Sequence, residues 1–107
     1  MIVVTSDEIP GRDIVEVFGL VRGNSVRARH LGKDILAALK GVVGGEIEEY
    51  TKLLAEVREQ AIDRMIEEAR ARGANAIVCF RFSSAEISSG AAEFLAYGTA
   101  VRTEAED

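Results

Sequence analysis

Residues 73–101, GANAIVCFRFSSAEISSGAAEFLAYGTAV, constrain the fold more than any other stretch of this chain. A long helical pattern runs up to them over residues 46–72. In it Ile47, Tyr50, Leu54, Val57, Ala61, Met65 and Ala69 recur every three or four positions, and Leu53, Ile62 and Ile66 widen the stripe. Glu46, Glu48 and Glu49 open this helix and Arg70 and Arg72 close it, as the helix dipole favours. Gly73 is the expected residue just past its end. Two apolar strands follow, at 76–82 and 94–101, joined as a hairpin through a polar, serine-rich connection of roughly ten residues. Simple alternation sets Val78, Phe80 and Phe82 against Ile77, Cys79 and Arg81. It likewise sets Leu95, Tyr97, Thr99 and Val101 against Phe94, Ala96, Gly98 and Ala100.

The N-terminal part reads as more strand. Residues 2–5 form a short one, closed by a loop over 6–12 with Pro10-Gly11 as its turn signal. Residues 14–28 are mainly β-formers, with Val15, Val17 and Val21 on one face and Ile14, Phe18 and Leu20 on the other. Gly19 and Gly23 imply a bulge or bend in one strand, while a turn at Gly23-Asn24 would instead make a hairpin. A short helix is expected over 34–43, with Ile35, Leu36, Leu39 and Val43 as its apolar stripe and Gly44-Gly45 after it. The expected fold is therefore α+β: a mostly antiparallel sheet with one short and one long helix on one face, in a single domain over 1–107 with a frayed acidic tail at 103–107. A sheet that is apolar on both faces, with helices on only one, calls for a second copy, so a homo-oligomer is expected.

Composition narrows the function classes. The net charge of −5 disfavours nucleic acid as the main partner, although Arg22, Arg27, Arg29 and Lys33 cluster locally. A single cysteine, Cys79, excludes an intrachain disulfide and suits a reducing compartment. No stretch approaches the roughly 20 apolar residues of a membrane helix, so the cytoplasm is the expected location.

Candidate chemistry is sparse. A tetrahedral metal site wants three or four Cys or His ligands, and one chain supplies His30 and Cys79 on separate elements. Cys79 reads either as a small buried strand residue or as a ligand completed by another subunit. His30 follows Arg27 and Arg29, whose charge opposes a cation, so packing, capping or anion contact competes with ligation. Glu86 and Glu93 flank the serine-rich connection and would suit a divalent cation at a ring lumen or inter-subunit cleft. Glu59, Asp63 and Glu67 make an acidic line along the long helix, which reads as a solvated face or a cation site. Ser83-Ser84 and Ser88-Ser89 lack a nearby base, and Gly41–Gly45 lacks the Lys-Ser/Thr of a phosphate loop. An enzyme is not expected.

Three segments in order, IPGRDIVEVFGLVRGNSVRARH, GGEIEEYTKLLAEVREQAIDRMIEEARARGANAIVCFRF and EFLAYGTAV, resemble the UPF0145 or YbjQ-like family of small bacterial and archaeal proteins. That family carries the label "putative heavy-metal-binding". The resemblance covers nearly the whole chain. It implies a dodecin-like α+β subunit in a ring-shaped homo-oligomer, a pentamer being favoured. It carries no assigned functional residue across. The expected function is an oligomeric module that holds a metal ion or small ligand between subunits. The alternative is a structural ring with no ligand.

Overall fold

The computed structural model describes residues 1–27, 46–88 and 91–107. Its elements are β1 (Ile2–Val3), β2 (Arg12–Arg27), α1 (Glu46–Ala71), β3 (Ala76–Ser88) and β4 (Ala91–Ala105). They form a mixed four-stranded sheet of order β1-β3-β4-β2, with β1 parallel to β3 and the other pairings antiparallel. α1 packs on one face. The expected helix over 34–43 lies outside the described residues.

α1 stops as its sequence requires. Gly73 takes φ +89°, its N–H donates to Arg70 O at 3.0 Å, and Ala74 N–H donates to Ala69 O at 3.1 Å. These are the two bonds of a Schellman close, and they turn the chain straight into β3. Asn75 then ties the turn to the far end of β4. Its Oδ1 accepts from Thr103 N (2.8 Å) and Thr103 Oγ1 (3.2 Å), and its Nδ2 donates to Thr103 O at 2.9 Å. Arg12 Nε donates to the same hydroxyl at 2.7 Å. Thr103 is buried and β4 continues to Ala105, so the expected frayed tail is largely a strand, with Glu106 N–H still donating to Gly11 O. Asn75→Ala should lower stability by about 1–3 kcal/mol, because it leaves the buried Thr103 N–H without an acceptor. A urea midpoint equal to that of the parent protein would contradict this.

Four register shifts reset the side-chain phase among the described residues, the last of them in β3 between Glu86 and Ser88, which pair with Ala92 and Ala91. β2 is one bent strand, with no turn at Gly23-Asn24, and it carries an extra residue against β4 at Val15 and again at Phe18. Gly19 takes φ +100° at the second of these. As a result Phe18 packs with Val21 on the α1 side, where plain alternation separates them. In β3 the pair Cys79–Phe80 occupies the space of one β4 residue, Gly98. Ile77, Phe80 and Phe82 then join the α1 side, while Val78 and Cys79 lie in the cluster on the opposite face. β4 has no interruption of its own, and its expected alternation holds for Ala96 and Ala100 against Val101. The serine-rich segment is strand too. β3 runs to Ser88 and β4 starts at Ala91, so the expected long connection shrinks to the two positions between them.

The main core lies between α1 and the sheet: Ala61, Met65 and Ala69 against Val21, Ile77, Ala96 and Ala100. Small residues at this contact let helix and sheet approach closely. At Gly23 the approach is tightest, since a Cβ there would run into the backbone of α1 at Ala61, Arg64 and Met65. On the opposite face a smaller cluster of Ala76, Val78 and Val101 is roofed by Val4 and Ile9 of the N-terminal segment. Away from that roof the face is open: Val17 is 62% exposed, Leu20 56% and Val26 49%.

Candidate functional site

The open half of the helix-free face is where chemistry-bearing side chains gather. Cross-strand register places Arg22, Tyr97 and Arg81 in one row, Asn24, Leu95 and Ser83 in the next, and Val26, Glu93 and Ala85 in a third. Directly paired residues share a face, so alternation along β2 and β4 delivers these groups together. Asn24 Nδ2 donates to Glu93 Oε2 at 3.2 Å. Arg22, Asn24, Glu93 and Leu95 line a shallow cleft of about 420 Å³. The Arg81 guanidinium is held by Thr5 O (2.9 Å) and Phe80 O (2.8 Å). A carboxylate, an amide, a guanidinium and an apolar wall make a mixed lining. It suits a small polar ligand better than a bare cation, because Arg22 adds positive charge beside Glu93.

Of the expected metal ligands, Cys79 and Glu93 are not brought together within one chain. Cys79 sits half-buried in the β3 bulge at φ +56°, its N–H donating to Ser6 O at 2.9 Å. Glu93 lies five positions along β4 from Gly98, the residue facing that bulge. That separation is on the order of 16 Å at about 3.3 Å per residue. Glu86 pairs in register with Ala92, and Ala85 with Glu93, so the Glu86 and Glu93 backbones stand one position apart on neighbouring strands. His30 lies outside the described residues. Among the described residues no three of His, Cys, Asp and Glu converge on a point that could hold a metal ion. The described part of a single chain therefore does not fit a heavy-metal centre. Glu59, Asp63 and Glu67 are all exposed, in keeping with a solvated face.

A second constellation escaped the sequence reading. β2 is an edge strand, and three α1 side chains reach its free edge. Arg72 Nη1 donates to Leu20 O at 3.0 Å and Phe18 O at 3.5 Å, Glu68 Oε2 accepts from Arg22 N–H at 3.0 Å, and Arg64 Nη1 donates to Asn24 O at 2.6 Å. Arg72 and Glu68 also pair with each other at 2.9 Å. The spacing explains the fit: four helical residues rise about 6 Å, and two strand residues advance about 6.7 Å. The legible signal was Arg64, Glu68 and Arg72 at i, i+4 and i+8. Across β2 and β4, Arg102 is held firmly charged by its hydrogen bonds to Glu104 and then Glu16, an exposed and purely superficial arrangement.

Comparison with known proteins follows the same outline. A Pediococcus pentosaceus crystal structure, described as a protein of unknown function belonging to the DUF74 family, shares the fold with a TM-score of 0.64 over 97% of this chain and 98% of that one, at 13% identity. The family model described as "Putative heavy-metal-binding" matches residues 1–104. A UPF0145 protein of Thermosipho melanesiensis is 58% identical over 102 residues, covering 95% of this chain and 94% of that protein. One from Archaeoglobus fulgidus is 55% identical, again over 95% and 94%. One from Clostridioides difficile is 54% identical over 97% and 93%. With a match across almost its whole length and relatives this close, the chain belongs to the UPF0145, or YbjQ-like, family.

Proposed function

We propose that this protein is a cytoplasmic homo-oligomer, with a pentameric ring favoured, that binds a metal ion or small ligand between subunits and catalyses no reaction. The carrying observation is the cleft of Arg22, Asn24, Glu93 and Leu95 on the uncovered half of the sheet, where its lining is one-sided and a neighbouring subunit would close it. A shallow cleft on one chain buries too little of a ligand to bind it well, whereas a site walled by two chains does not have that defect. The family's heavy-metal label agrees with a shared site, since one chain brings Cys79 and Glu93 to separate places.

Native mass spectrometry with elemental analysis of the untagged protein tests this reading. The expected result is an oligomer carrying a stoichiometric metal or organic ligand that is lost, with assembly retained, in Glu93→Gln. Loss of a metal in Cys79→Ala or His30→Ala would assign it to those residues. Ligand-free oligomers indifferent to chelation and to all three substitutions would reject the binding module. They would favour the alternative, a structural ring. The Asn24–Glu93 hydrogen bond supports that alternative, because it already occupies one carboxylate oxygen.

A further inference from the structure

A strand at the edge of a sheet presents unpaired N–H and C=O groups, and proteins either block that edge or use it. Here the edge of β2 is blocked by Arg64, Glu68 and Arg72. The opposite edge is treated differently. β1 pairs with β3 only at Ala76 and Ile77, and the chain after it keeps up the pairing through Cys79 N–H to Ser6 O (2.9 Å) and Phe80 N–H to Val4 O (3.0 Å). β3 then continues to Ser88. Since Phe80 N–H points away from β4, alternation turns the N–H and C=O of Phe82 and Ser84 the same way. Among the described residues nothing meets these groups. The edge also lacks the usual guards: residues 82–85 read Phe-Ser-Ser-Ala, with no Lys or Pro, and Ser83, Ser84 and Ala85 are exposed.

The same chain supplies a complement. β2 runs past its blocked stretch at both ends, and there Ile14, Val15, Val17 and Val26 are 39–62% exposed. We infer that residues 82–85 of β3 are a strand-pairing edge to which β2 of a second copy adds, so that the sheet continues from subunit to subunit. Joining β3 of one copy to β2 of the next is a head-to-tail contact, which forms a ring where the rotation between neighbours closes and an open filament where it does not. Blocking the middle of β2 confines the contact to its ends and sets the stagger between neighbours. This inference rests on the oligomer proposed above and names how its subunits join.

Residue-resolved hydrogen exchange on the intact oligomer tests it. The Phe82 and Ser84 amides should exchange at least about 100-fold more slowly than an exposed amide. Ser84→Pro removes an outward N–H without touching the β4 ladder, and should release subunits of 11.6 kDa with helix content retained, while Ser84→Ala stays assembled. Fast exchange at both amides in an intact oligomer, or an oligomer unchanged by Ser84→Pro, would overturn the pairing edge and leave the oligomeric reading standing. A parent protein that is itself 11.6 kDa in solution would overturn both.

Discussion

Gly23→Ala is expected to destabilise the fold by about 3 kcal/mol or more, at the top of the range for overpacking a core. The added Cβ would lie against the backbone of α1 at Ala61, Arg64 and Met65. Side-chain obstacles yield by changing rotamer, but helix backbone does not. Relief would require α1 to lift from the sheet, and that would loosen Val21, Ala61, Met65 and Ala69 together. The neighbouring Ser25 Oγ–Gln60 Oε1 hydrogen bond, 2.7 Å long at the same contact, would lengthen too. Urea denaturation followed by far-ultraviolet circular dichroism measures the loss. A midpoint within error of the parent protein would mean that helix and sheet are not pressed together at Gly23.

Gly23 also shows where local pattern stops being informative. In the sequence it reads as a bend or turn signal, yet it sits mid-strand as the place where helix meets sheet. α1 was legible almost to the residue, because periodicity and its Gly73 stop are both local. Strand phase was not. The bulges at Val15, Phe18 and Cys79–Phe80 depend on what lies across the sheet, and each one turns the residues after it over. Serines at 83, 84 and 88 suggested a loop, but an exposed strand edge accepts them equally well. Thr103 looked like part of a tail because nothing local reveals its bonds to Asn75, 28 residues away. Of the candidate site, Glu93 was legible as a chemistry-bearing residue, while its neighbours Arg22 and Asn24 come to it only through β2–β4 register.

Replacing Arg64, Glu68 and Arg72 together with alanine should open the guarded middle of β2 to further strand addition and speed the association of this protein beyond that of its parent. Alanine is the best helix former, so intrinsic helix stability does not fall and any loss reports the contacts. The substitutions uncover Phe18 O, Leu20 O, Arg22 N–H and Asn24 O in a row, flanked by the exposed side chains of Val17, Leu20 and Val26. A long bare edge with apolar neighbours is a template for strand addition. Charge works the other way: removing two positive groups and one negative takes the net charge from −5 to −6, which on its own favours solubility. The comparison is a triple alanine variant at Glu59, Asp63 and Glu67, which are exposed on the same helix and take the net charge to −2. Light scattering and thioflavin fluorescence at equal concentration separate the two. Faster association of the Arg64/Glu68/Arg72 variant, despite its higher charge, is the expected result. The reverse order would show that net charge, and not the guarded edge, limits the association of these variants.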